Sequence, residues 1–249
     1  MANETLFTTK AADYAAGRPS YAPDAIERIR ASLRPGERVA DMGSGTGILS
    51  RELLDRGLEV FGIEPNPAMR SDAEKNCGNR LSFHSVAASA EHTGLPDASV
   101  AAVTAASAFH WFDPSAFYAE CKRILKPGGR VYLLANRRCY DDPFTRQQHQ
   151  LCRQYSSSFQ SLSHGAERML QNAPTFFPGA YRQEVFDFPL CYTKETFLAR
   201  SLSSSYAPDR GTTAGEAYCQ ALRALIDQTF PDGRVVISNE TVLLWQVLC

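Results

Sequence analysis

Seven consecutive residues have the types and spacing to build a ligand site: Asp41-Met42-Gly43-Ser44-Gly45-Thr46-Gly47. The apolar residues before them read as a short strand, and Ile48 to Arg56 reads as a helix. Glycine at every second position permits a sharp turn through positive φ and lets a ligand come close to the backbone. Such a turn leaves amide N–H groups and a helix N-terminus above the strand end. A dinucleotide fingerprint would place its third glycine at position 48, where Ile48 stands. An acid at the strand end also suits a cationic ligand better than a pyrophosphate. Glycines alone would fit a tight structural turn. The order strand, acid, three glycines, helix points to a cofactor site.

Three further groups can join it. Glu64 follows the next apolar run, 21 residues beyond Gly43, where an acid can accept both hydroxyls of a ribose. Pro65 and Met69 would line an adenine face beside it, and Met69 serves equally as core filler. The third group is Ala106-Ser107-Ala108-Phe109-His110-Trp111-Phe112, a wall of rings after a strand rich in small residues. Trp111 and Phe112 are expected to pack beneath the following helix, with Phe109 and His110 facing the ligand. A free imidazole titrates near neutral pH, so His110 is the candidate general base. A packed histidine bonded to backbone is the other reading.

These residues need elements to hold them, and the chain supplies an alternation of strands and helices. Strands are expected at Arg38 to Asp41, Glu59 to Ile63, Leu81 to His84, Ser99 to Ala105 and Arg130 to Ala135. Between them run helices from Ile48, from Pro67 with Asn66 as N-cap, and from Pro114 with Asp113 as cap, plus a brief helix over Ala88 to Thr93. That rhythm implies parallel strands, right-handed crossovers and a ligand crevice at the strand carboxyl ends. After Asn136 the rhythm stops. Residues 141 to 205 are aromatic, Ser-rich and broken by prolines, which suggests a cap with a strand near Glu184 to Phe188. A helix from about Gly215 to Phe230 then leads to two apolar strands, Arg234 to Ser238 and Glu240 to Leu248, joined by Asn239.

The whole is expected to be an α/β protein. Its doubly wound, mostly parallel seven-stranded sheet is of Rossmann-like type, with an antiparallel closing hairpin and a cap insertion. Four units follow: an arm over 1–22, a core over 23–138, a cap over 139–205 and a completing segment over 206–249.

The chain has 249 residues and a formal net charge of −1, which offers no electrostatic reason to expect nucleic acid or an anionic membrane as partner. No apolar run reaches the length of a membrane span. The seven cysteines are scattered and never form C-x-x-C, as expected of reduced thiols in a cytoplasmic protein.

The glycine turn, Gly62-Ile63-Glu64-Pro65-Asn66, Ala90-Glu91-His92-Thr93-Gly94-Leu95-Pro96, Ala108-Phe109-His110-Trp111-Phe112 and Leu125-Lys126-Pro127-Gly128-Gly129 together resemble the class I S-adenosylmethionine (SAM) dependent methyltransferases. The similarity is to the type 11 branch, small-molecule enzymes with relatives acting on quinone precursors and trans-aconitate. It implies SAM as cofactor and S-adenosylhomocysteine as product. It also implies that Asp41, Gly43, Ser44, Gly45, Gly47, Glu64, Pro65, Met69, Ala90, Glu91, Ala106 and Phe109 surround the cofactor. Ala90 and Glu91 match the turn that reads the adenine amine; helix capping competes for Glu91. Tyr14 and Arg18-Pro19-Ser20-Tyr21 match the family's lid; Tyr14 and Arg18 are expected at the cofactor, Tyr14 and Tyr21 can also shape the acceptor pocket, and Arg18 suits a carboxylate, either that of SAM or that of an acidic acceptor. An acid that relatives often carry in the fourth strand is replaced by Ala101-Ala102.

The expected activity is methyl transfer to O, N or C of a small-molecule acceptor, by in-line displacement in a metal-free pocket, catalysed with His110 and Tyr21. The protein would be a monomer or homodimer. A SAM-binding protein without catalysis and a nicotinamide-dependent oxidoreductase are the alternatives; Ile48 and Asp41 disfavour the second.

Overall fold

The computed structural model describes residues 19–248, apart from 79, 205 and 210. Arg38–Met42 forms β1, Glu59–Ile63 β2, Phe83–Val86 β3, Val100–Ala106 β4 and Leu125–Arg138 β5. These five strands pair in parallel in the order β3-β2-β1-β4-β5. Strand order reverses between β1 and β4, so the crevice for a ligand opens above their carboxyl ends. Helices α1 (Pro23–Arg30), α2 (Ile48–Asp55), α3 (Pro67–Cys77) and α4 (Pro114–Ile124) are the crossovers and cover.

Period-2 alternation splits the core between the two faces. Met42, Val103, Leu133, Phe109 and Phe117 pack on one face, while Ile26, Val39, Leu53, Tyr132 and Leu134 pack on the other. The Lys126-Pro127-Gly128-Gly129 break falls inside β5, where the register against β4 shifts between Val100 and Ala102. Proline and glycine cannot hold a regular ladder there, so four residues bulge out of it.

Three expectations change. The stretch Ala88 to Thr93 forms no helix; it turns on itself, with Ser89 bridged to His92. The two last strands do not pair with each other. β9 (Asn239–Val247) instead runs antiparallel between β5 and β6 (Arg182–Asp187), and β8 (Arg234–Ile237) pairs with β7 (Leu190–Thr193) outside the main sheet. The reason lies in the side chains. Val242, Leu243 and Leu244 are buried on both faces, as an interior strand requires, whereas β8 alternates buried Val235 and Ile237 with exposed Arg234 and Val236. The antiparallel pair at this edge of the seven-stranded sheet is therefore β6–β9, and its outer strand comes from within the expected cap.

The helix before β8 also differs in its partners. α8 (Thr213–Thr229) packs through Tyr218, Leu222 and Ile226 on α5 (Pro143–Tyr155) and α7 (Lys194–Leu202), not on the sheet, building a separate apolar cluster around Phe144 and Phe197. α6 (His164–Phe176) takes the opposite course. Its Ala166, Met169, Ala173 and Phe176 join the core of the sheet, so this helix closes one side of the strand edge.

Candidate cofactor and acceptor site

β1 carries the chain into the turn through Gly43, Gly45 and Gly47, at φ of +62°, +56° and +79°. Two of these positions are crowded, Gly43 more than Gly47. A Cβ on Gly43 would stand 2.7 Å from Ala108 Cβ across the β1/β4 crevice, and one on Gly47 would stand 3.2 Å from Ala73 in α3. Gly45 is different: nothing lies nearer than 4.0 Å to its Cβ position, so the turn is open to a ligand there. The Ser44 N–H donates to the Ile63 carbonyl at 3.1 Å, tying the turn to the end of β2.

Glu64 stands next to it. Its carboxylate is held by two backbone amides, Gly45 N–H on Oε2 at 3.1 Å and Asn66 N–H on Oε1 at 2.9 Å. Asn66 is itself fixed, because its Oδ1 caps α3 by accepting from the Ala68 and Met69 amides. Burial pushes the Glu64 carboxyl above its ordinary range, against the pull of those amides and of Arg70. An ionised carboxylate has about four lone-pair sites, so two amides leave capacity for further donors. Met69 is buried with its Sδ 4.0 Å from the Gly45 Cβ position, while Pro65 is exposed beside it.

Asp41 departs from the expected contact role. Its carboxylate is wholly enclosed beneath the turn, and its oxygens accept from Ser50 Oγ at 2.6 Å and Thr104 Oγ1 at 2.9 Å. Burial raises its pKa to about 6; the two hydroxyls oppose that shift and the Glu64 charge adds to it. Asp41 therefore braces β1 against α2 and β4 and acts on a ligand through its charge alone. Ser50 and Thr104 were not singled out in the sequence. Their signal was available: Thr104 is the one hydroxyl residue in β4, and parallel register sets it opposite Asp41.

After β3, Ala90 is buried at the turn, and Glu91 Oε1 accepts the Asp113 N–H at 3.1 Å. Asp113 caps α4 in turn, so Glu91 is positioned from the far side of the crevice. The loop is anchored behind by Glu120, whose Oε1 accepts from both the amide and hydroxyl of Thr93. Burial alone would raise the Glu120 pKa, but Arg123 and Thr93 together hold it down to about 2.

Ala106 ends β4, and Ser107 bends the chain at φ +53° while its N–H donates to the Leu134 carbonyl. A short 3-10 turn, Phe109–Trp111, follows. Phe109 does not face the crevice. It is 2% exposed, packed against Phe117 and edge-on to Phe176 of α6, because a ring at this position completes the core beneath the helix. Phe112 packs on Phe117 as expected, yet its ring also comes to 3.1 Å from the Gly43 Cβ position. Trp111, expected beneath the helix, is 49% exposed. His110 is half-buried with its ring 4.7 Å from that of Trp111, and its Cε1 is 3.0 Å from the Cβ position of Gly165. The first turn of α6 thus covers His110.

Residues 19–22 cross the same edge. Asn136 Nδ2 donates to the Ser20 carbonyl, the Ala22 N–H donates to Thr241, and the Tyr21 hydroxyl donates to Ser107 Oγ. Tyr21 is accordingly buried at the rim. Tyr14 and Arg18 lie outside the described residues. No group of three or more His, Cys, Asp or Glu side chains that could hold a metal occurs among the described residues. None of their helices is long and apolar enough to cross a membrane.

Residues 40–133 match a family described as "Methyltransferase domain". An uncharacterized methyltransferase of Mycobacterium tuberculosis is 39% identical over 125 residues, which is 50% of this chain and 49% of that one. The match thus spans about half the length of that relative. An uncharacterized methyltransferase-like protein of Schizosaccharomyces pombe is 28% identical over 80% of this chain and 78% of its own. Among solved structures, a putative type II methyltransferase from Anaeromyxobacter dehalogenans has a TM-score of 0.68 at 21% identity, covering 92% of this chain and 97% of that one. The strand order, the open glycine turn with its clamped Glu64, and the matched stretch agree: residues 40–133 are similar to the methyltransferase domain family, on a fold that solved methyltransferases share.

Proposed function

We propose that this protein binds SAM at the β1/β4 crevice and transfers its methyl group to O, N or C of a small-molecule acceptor, in line and without a metal. One observation carries the reading: Glu64 is buried at the tip of β2, aligned by two backbone amides, beside the one glycine of the turn with open space above it. That arrangement fits an adenosyl group, whose ribose presents two adjacent hydroxyl donors.

When bound, SAM supplies a methyl group on a sulfonium, open to attack by a nucleophile. The residues of the chain then have separable tasks. Glu64 accepts the ribose hydroxyls through its remaining lone pairs. The Gly43-Ser44-Gly45 backbone lies along the ligand, and the enclosed Asp41 charge favours a cationic one. Ala90, Glu91 and Met69 border the adenine side. His110 takes the proton of the acceptor nucleophile, and Tyr21 shapes the acceptor side of the rim. α6 and the 19–22 strap exclude water, so alignment supplies much of the acceleration.

Calorimetric titration with S-adenosylhomocysteine, with NADH as control, tests the reading. Saturable binding of the first alone is expected, weakened by about 1–3 kcal/mol in Glu64→Ala through loss of a charged hydrogen-bond pair. Binding of NADH, or equal affinity in the variant, would remove this site from consideration. Formation of S-adenosylhomocysteine from SAM with a panel of phenolic and carboxylated acceptors separates an enzyme from a binding protein.

A further inference from the structure

β5 outruns β4 at its carboxyl end, and its last residue, Arg138, turns into the helical layer. Arg138 is 8% exposed, and its Nη1 is buried without a hydrogen-bond partner. No described carboxylate forms an ion pair with it; the acid whose charge reaches it, Asp142, is engaged in capping α5 through Thr145. The rings beside it lead to a second cation. Arg138 lies 5.9 Å from the Phe197 ring centroid, Phe197 is 6.0 Å from Tyr192, and Arg200 lies 5.3 Å over Tyr192 and hydrogen-bonds its hydroxyl. Tyr206 and Cys152 are also within electrostatic reach of Arg138. One helical turn before Cys152 on α5, Gln148 is 1% exposed with Oε1 unpartnered.

Burying a guanidinium without a counter-charge is costly, and a second arginine beside it raises that cost. Burial and Arg200 push Arg138 down to about 10, which leaves it charged at neutral pH. Its charge therefore calls for an anion. The place is also suggestive: the Arg138 N–H donates to Ser163 Oγ, and two residues later Gly165 covers His110.

We propose that Arg138 and Arg200, with Tyr192 and Tyr206, form an oxyanion site that takes a carboxylate of the acceptor. A planar guanidinium matches the two oxygens of a carboxylate, and the Phe197 and Tyr192 rings supply an apolar wall for the carbon skeleton. Assignment of that carboxylate to the acceptor rests on the methyl-transfer reading; the oxyanion site itself does not.

The test uses the full chain, with benzoate, inorganic phosphate and uncharged benzamide as probes in calorimetry and thermal unfolding. Benzoate is expected to bind and raise the melting temperature, and benzamide to do neither. Arg138→Met should weaken benzoate at least about tenfold, the loss of one charged hydrogen bond, while S-adenosylhomocysteine binding stays unchanged. The same variant should melt higher than the parent without ligand, because a buried uncompensated charge is gone. Arg200→Gln, at a less buried position, should also weaken benzoate. Equal benzoate affinity in parent and variants, or no binding of either anion, overturns the site; phosphate binding in preference to benzoate overturns the carboxylate assignment. Failure of S-adenosylhomocysteine to bind the parent would overturn the methyl-transfer reading and leave the benzoate result standing.

Discussion

The Tyr21 hydroxyl donates to Ser107 Oγ at 3.1 Å, joining the entry to α1 with the bend after β4 across 86 residues of sequence. With the Asn136–Ser20 and Thr241–Ala22 bonds, it ties the strap to the ends of β4, β5 and β9. Ser107 sits at positive φ, so the bond also steadies a strained residue three positions before His110. Tyr21→Phe removes the donor and keeps the ring. Stability should fall by about 1 kcal/mol in urea unfolding, with turnover falling more than S-adenosylhomocysteine affinity. A variant with wild-type turnover would place Tyr21 in packing alone.

The three turn glycines should not respond alike. Gly45→Ala has room for its methyl group, so it should cost about 1 kcal/mol of stability, from the left-handed backbone alone, while impairing cofactor binding. Gly43→Ala must also displace Ala108, for a cost on the order of 3 kcal/mol. Melting curves paired with titration of both variants check the contrast; equal stability losses would mean the crevice is looser than its contacts indicate.

Asp41 makes stability depend on pH. Its folded pKa of about 6 lies above the ordinary 3.8, so the native state binds more protons between these values. The protonated carboxyl's advantage is complete below the unfolded value and is lost as pH rises through about 6. Two units correspond to about 3 kcal/mol. Asp41→Asn removes the titration, and the hydroxyls of Ser50 and Thr104 can reorient to suit an amide. The stability of parent relative to variant should therefore fall between about pH 4 and pH 7. A flat difference across that range would contradict the enclosure of Asp41.

Gly165 gives access to His110 without altering it. A Cβ there would lie 3.0 Å from the ring's Cε1, so Gly165→Ala must shift either the imidazole or the start of α6. Turnover should drop several-fold while S-adenosylhomocysteine binds as before. Steady-state kinetics with an accepted substrate, beside calorimetry, decide it; loss of cofactor binding instead would put His110 on the cofactor side.

The residues that build the glycine turn were legible because their requirements are local. Glycine at 43, 45 and 47 reports positive φ, Asn66-Pro67 and Asp113-Pro114 report helix starts, and the alternation of elements reports a parallel sheet whose strand ends gather Gly45 and Glu64. What the sequence left undecided depends on partners far along the chain. Whether Asp41 faces a ligand or a pair of hydroxyls turns on Thr104, 63 residues away. Whether Phe109 points to the crevice or the core turns on Phe176 in α6, since one ring type serves either place. β9 could pair with its sequence neighbour or with β6, and burial of both its faces decided for the interior of the sheet. Arg138 carries no signature as one basic residue among 26. Its charge became informative only when β5, α5 and α7 closed around it, because the cost of an unpaired cation exists only where water has been excluded.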